Sequence, residues 1–182
     1  MAEVTRGSLV QRMIGASMLN TATYEEVEAD RTATGQAAAV VAIVAVATAI
    51  GAIGEGSGGI IAGLLSAFFG WLIWSAITYF VGTKLFGGTA DLGEMLRTIG
   101  FAQSPGVLNV LGIIPLLGGL VRFAVFIWIL VAVVIAIRQA LDFSTGKAVG
   151  TAVIGAIAYI ILMTVAAAIF GGAAMLGGAI AG

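Results

Sequence analysis

Apolar residues run along this chain in long unbroken stretches rather than in one-sided stripes. Residues 33–53, 60–84, 118–138 and 147–170 each form such a stretch. Their lengths suit a helix rising about 1.5 Å per residue across a hydrocarbon core about 30 Å thick. A further stretch, 94–115, is long enough but contains Pro105 and ends at Pro115. The two prolines bracket 106–114, which reads as half of a broken helix or as a re-entrant piece. No segment alternates polar and apolar with a period of two, so a closed sheet is not indicated. Helices satisfy their own backbone groups, as lipid demands. The pattern therefore predicts an all-α, polytopic helical membrane protein with five transmembrane helices. Gly54, Gly56, Gly58 and Gly59 mark the turn after the first.

Ahead of the first span the pattern changes. Over 4–19 a helix would carry Leu9, Val10, Met13, Ile14 and Met18 on one face and Ser8, Gln11, Arg12 and Gly15 on the other. This predicts an N-terminal amphipathic helix, lying in the inner membrane interface or packed on other protein. Thr23 and Glu26 fit a capping box, with Glu25 and Glu28 in the early turns. The acidic run 25–30 reads as a solvated helical face rather than as bait for a basic partner. Asp91 and Glu94 make a second capping pair, so a helix is expected from near Leu92. Two regions follow: a cytoplasmic N-terminal region, 1–32, and a membrane domain, 33–182. Gly171, Gly172, Gly177, Gly178 and Gly182 make the tail a poor helix former, expected to fray.

Charge turns this pattern into an orientation. Only 9% of residues are charged, eight basic and nine acidic, against about 25% in a soluble domain. With the N-terminus inside, Arg6, Arg12, Arg31, Lys84, Arg97, Arg138 and Lys147 fall on the inner side and Arg122 alone on the outer. That bias is the positive-inside rule. Five spans then put the C-terminus outside. Four spans, with 94–115 not crossing, would strand Arg138 and Lys147 outside. Glu55 and Arg122 are the two charges left to the outer side. They are expected to pair at the outer mouth, unless Arg122 snorkels alone. The polar first 32 residues show no signal peptide.

The chain has no Cys and no His. Disulfides, thiolate nucleophiles and His-ligated metals are excluded, as is the usual base of hydrolases. The scattered cations offer no nucleic-acid surface. No span pairs a nucleophile with a base, so no catalytic residue, cofactor or metal site is predicted. The remaining candidate chemistry lies at Pro105. Proline removes one helical hydrogen bond and displaces the carbonyl four residues back, here that of Phe101. Gly100, Phe101, Gln103, Ser104, Pro105 and Asn109 form a candidate hinge or polar kink. Gln103, Ser104 and Asn109 are placed to satisfy the freed groups, and a repaired structural kink outweighs a ligand site here. Trp71, Trp74 and Trp128 fall near mid-span rather than in the interfacial belt, so their indole N–H groups are expected to face neighbouring helices. Gly59/Gly63, Gly146/Gly150 and Thr151/Gly155 are small-xxx-small pairs suited to close helix approach.

The run Gly100-Phe101-Ala102-Gln103-Ser104-Pro105 resembles the Gly-Tyr-x-x-x-Pro signature of the Yip (Ypt/Rab-interacting protein) domain family, with Phe for Tyr. Its surroundings are also similar to prokaryotic members: Tyr24-Glu25-Glu26-Val27 with Asp30-Arg31, Gly35-Gln36-Ala37, Ile113-Ile114-Pro115 and Ile137-Arg138-Gln139-Ala140-Leu141. The resemblance covers roughly 9–170. It implies a five-span helical protein with a cytosolic N-terminus. Eukaryotic members act in traffic between endoplasmic reticulum and Golgi, and several bind prenylated small GTPases. Their Asp-Leu-Tyr-Gly-Pro motif and long cytosolic domain are absent here, so GTPase binding is not carried over. The reading is a prokaryotic inner-membrane organiser or adaptor, not an enzyme. Its partners would be the lipid bilayer and other membrane proteins or further copies of itself, with no nucleic acid. The alternative is a small transporter or channel subunit with a polar path near Gln103, Ser104 and Asn109.

Overall fold

In the computed structural model the four plain apolar runs become four long helices. The structure describes the backbone of residues 7–53 and 60–181 and the side chains of 7–53 and 61–169. Glu55, Arg6, the glycine turn at 54–59 and the Gly59 side of the Gly59/Gly63 pair lie outside the described residues, so the expected Glu55–Arg122 pair does too. The helices are α1 Leu9–Ser17, α2 Thr21–Ala29, α3 Thr34–Gly51, α4 Ile60–Leu85, α5 Leu92–Ala102, α6 Gly118–Ala140 and α7 Thr145–Ala181. A 3-10 turn, Arg31–Ala33, leads into α3, and a 3-10 helix, Ser104–Ile113, follows α5. Among the described residues there is no strand. Among the described residues four stretches are long and apolar enough to cross a membrane: Arg31–Gly51, Ile61–Leu85, Gly118–Ala140 and Thr145–Ile169. Large apolar side chains cover their outward faces, among them Phe69, Phe80, Phe123, Phe126, Ile157 and Ile160. An outward apolar surface of this extent fits lipid as solvent, not water. The glycine-rich tail lies within α7.

The stretch 94–115 is not one continuous span. Asp91 and Glu94 form the expected reciprocal cap, at 2.7 Å each way, and α5 starts at Leu92. The α-helix ends at Ala102, before Pro105, and the chain continues as tighter 3-10 helix. At about 1.5 and 2.0 Å per residue the two pieces together reach about 36 Å. They run the height of the bundle. At one end, here called basal, Thr89 just before α5 donates to Asp142 just after α6, at 3.0 Å. At the other, distal end the 3-10 helix meets the end of α3 and the start of α6. A Cβ at Gly51 would lie 1.9 Å from the Asn109 carbonyl oxygen, and one at Gly118 2.4 Å from that of Gly112. Only glycine fits these crossings.

The N-terminal region departs further from expectation. It holds two helices, α1 and α2, folded back on each other through Leu19 at φ 60°. Leu19 N–H donates to the Ala16 carbonyl and Asn20 N–H to that of Gly15, both at 3.0 Å, a Schellman ending. The Thr23–Glu26 capping box does not form. Asn20 caps α2 instead, accepting from Ala22 N–H at 3.0 Å. Glu26 is drawn away to Arg12, and Thr23 packs where Gly15 leaves room. The reciprocal box appears at Ser8 and Gln11. The apolar face of α1 is also split: Leu9 and Met13 pack on the core, while Val10, Ile14 and Met18 are exposed at 61%, 55% and 74%.

Candidate sites at the N-terminal clamp and the helix break

Arg12, which the pattern places on a solvated face, is buried. Its Nη2 lies 2.9 Å from Glu26 and 2.7 Å from Asp30, and its Nη1 donates to Gln36 at 2.8 Å. One guanidinium thus ties α1, α2 and α3 together. Arg97 is buried as well. Its Nε donates at 3.0 Å to the Val27 and Glu28 carbonyls, and its Nη2 also donates to Glu28. It caps the C-terminal end of α2, where carbonyls lack helical partners and the dipole favours a cation. Two of the cations assigned to the inner side by count are therefore structural groups.

Around this clamp the acidic groups diverge. Hydrogen bonds from Thr32 and then Arg12 hold Asp30 down at about 2. Burial pushes Glu28 up to about 7, helped by repulsion from Glu94, Asp142 and Glu25 and opposed by Arg97. Glu25 meets Gln139 of α6 at 2.8 Å, close to the basal end. The other end of the hairpin reaches far up the bundle. The Trp128 indole donates to the Ser17 carbonyl at 2.7 Å. Trp128 lies ten residues before Arg138, about 15 Å along α6.

At the helix break the candidate residues separate into distinct roles. Gly100 packs against α3, where a Cβ would lie 2.8 Å from that of Ala37. Phe101 and Pro105 are buried. The Ser104 hydroxyl donates to the Phe101 carbonyl at 2.6 Å, which is the group that Pro105 releases. Asn109 donates to the Thr48 hydroxyl at 3.1 Å, joining the 3-10 helix to α3. Gln103 alone of the three polar residues makes no side-chain hydrogen bond among the described residues. It lines a crevice of about 610 Å³ between α3, α4, α6 and α7.

The tryptophans surround this region. Trp71 donates from α4 to the Leu96 carbonyl of α5 at 3.0 Å. Trp74 meets Tyr159 of α7 edge to face, with centroids 6.0 Å apart. Both rings line the crevice, while Trp128 serves the hairpin. Of the small pairs, Gly155 faces Thr78 of α4, where a Cβ would lie 3.2 Å from its methyl group, and Gly150 seats against Phe86. No sequence signal indicated Thr48 or Tyr159, and although Glu26, Asp30 and Gln36 fall in the family-like runs, nothing tied them to Arg12. Each is an ordinary residue that gains meaning from a neighbour far along the chain.

Long apolar helices with outward apolar faces, arranged around a broken central element, define an all-helical membrane protein. The sequence profile of the Yip1 domain matches residues 17–167. The chain belongs to the Yip1 domain family. The matched stretch takes in α2, the helix break, α3, α4, α6 and α7 as far as residue 167, and begins at the last residue of α1. Comparison with curated proteins and with solved structures gave no match.

Proposed function

We propose that this protein is a non-enzymatic membrane organiser or adaptor of a prokaryotic inner membrane. It binds other membrane proteins, or further copies of itself, or shapes the bilayer locally. Its N-terminus is cytoplasmic and its C-terminus outside. The broken element 92–113 supplies a fifth crossing, since its length exceeds the hydrocarbon thickness and it runs from one end of the bundle to the other. The observation that carries the functional reading is the hairpin α1–α2. Its Glu26 and Asp30 turn inward onto Arg12, while Val10, Ile14 and Met18 face outward. That polarity suits hydrocarbon, and the Trp128 contact with Ser17 supports a hairpin tip lying within one leaflet. A helical pair inserted into the cytoplasmic leaflet alone displaces lipid on one side, or presents an apolar ridge to a neighbouring protein. Deleting residues 1–20 should change vesicle shape or the set of co-purifying membrane proteins. No change in either would overturn the reading.

The crevice reaching Gln103 favours a second reading, a small transporter or channel subunit. It is the lesser one, because Ser104 and Asn109 are engaged by the protein itself and no longer line a polar path. Reconstituted vesicles showing solute flux that Gln103→Leu abolishes would reverse that order.

A further inference from the structure

The crevice combines apolar walls with several idle polar groups. Val44, Ala45, Ile129 and Val133 are among the side chains that form the walls. Set among them are the Gln103 amide, the Trp74 indole, the Tyr159 hydroxyl and the Ser66 hydroxyl. None of these four makes a side-chain hydrogen bond among the described residues. These groups are partly exposed along the crevice, and where hydrocarbon rather than water lies beside them a partner that enters the space would pair them. The volume falls in the range of pockets that hold a small molecule, about 300–1,000 Å³.

The charge of that partner follows from the lining. No Asp, Glu, Lys or Arg lines the crevice. A phosphate headgroup, a fatty carboxylate or a metal ion would enter without a counter-charge, in surroundings where an uncompensated charge is strongly disfavoured. A neutral hydroxyl or ester suits Gln103: its oxygen accepts from the amide N–H groups, and a hydroxyl can also donate to the amide carbonyl. The walls belong to the helices that cross the bilayer, so an occupant can arrive laterally from the lipid.

We propose that the crevice is a binding site for an uncharged glycerolipid of the diacylglycerol type. Its acyl chain lies along Val44, Ala45, Ile129 and Val133. Its ester or hydroxyl oxygens meet the Gln103 amide, with Trp74 and Tyr159 as further partners. The site is independent of the organiser reading, because the hairpin contributes nothing to its lining.

The test uses the full chain reconstituted in phosphatidylcholine vesicles with a diacylglycerol probe carrying a photoactivatable group in the acyl chain. Peptide mapping should place the label on α3 and α6 residues facing the crevice. Unlabelled diacylglycerol should compete, and phosphatidylglycerol and a long-chain alcohol should not. Gln103→Leu should weaken competition about tenfold, the scale of one lost hydrogen bond. Ala45→Phe, which fills the crevice with apolar atoms, should abolish crevice labelling while leaving the melting temperature in place. Label confined to outward residues such as Phe123 and Ile160, or unaltered by both variants, would overturn the proposal. Equal competition by phosphatidylglycerol or the alcohol would overturn the assigned ligand class.

Discussion

Arg12 illustrates how little a residue's type says about its place here. Its side chain is 1% exposed, and Asp30 opposite is 10% exposed. Removing one partner of a buried ion pair leaves the other uncompensated, which costs on the order of 3 kcal/mol. Arg12→Met should therefore lower stability by about that amount and free α1 from α2. Protease sensitivity near Leu19 and a denaturation curve in mild detergent would measure both. The two neighbouring carboxylates respond to pH in opposite senses. Asp30 sits at about 2 in the fold, below its usual value, so its contribution is present above about 4 and fades as pH falls through about 2. Glu28 sits at about 7, above its usual value, so its contribution is full below about 4.5 and is lost as pH rises through about 7. Glu28→Gln should flatten the stability profile between about pH 5 and 8 and leave the acid limb to Asp30. A profile that keeps its slope in the variant would mean that another group titrates there.

At the scale of elements, the helix break depends on two local devices. Ser104 returns a donor to the carbonyl that Pro105 frees. Ser104→Ala removes it, and a buried carbonyl left unpaired costs about 1–3 kcal/mol, so a shift of that size in a denaturation midpoint is expected. Gly51 lets α3 touch the 3-10 helix backbone. Gly51→Ala must push the two apart, and should lower stability more than Ser104→Ala does, because the obstacle is backbone and cannot rotate aside. The break itself was legible in the sequence, since proline acts on the helix it sits in. So were the Asp91 cap and the four long helices, which need nothing beyond their own residues. The orientation of α1 was not. An amphipathic pattern states that two faces differ, and the solvent decides which turns inward. Here Arg12 turns inward to Glu26 and Asp30, while Ser8 and Gln11 stay exposed. The crevice was equally hidden, because small residues on separate helices, such as Ala45, Ala67 and Gly70, create it by what they lack.

For the whole molecule, the number of bilayer crossings turns on the broken element 92–113. Among the described residues four helices meet the length and hydropathy of a span, and the proposed fifth crossing rests on a broken element of two short pieces. The stretch 94–115 is apolar enough, but it divides into a helix of eleven residues and a 3-10 helix of ten, neither of which is long enough to span alone. The bundle supplies the argument instead, through the Thr89–Asp142 bond at the basal end and the Gly51–Asn109 and Gly112–Gly118 approaches at the distal end. The absence of native cysteine makes a direct test simple, because a single introduced thiol is the only one present. Leu116 lies in the turn between the 3-10 helix and α6 and is fully exposed, while Thr89 and Ser144 lie at the basal end. With five crossings, Leu116→Cys should react with an impermeant maleimide added outside sealed vesicles of native orientation. Thr89→Cys and Ser144→Cys should react only after the membrane is opened. If the broken element dips and returns, Leu116→Cys and Thr89→Cys will share one side. Arg138 and Lys147 would then face outward against the charge rule, and the hairpin would lose its place in the cytoplasmic leaflet.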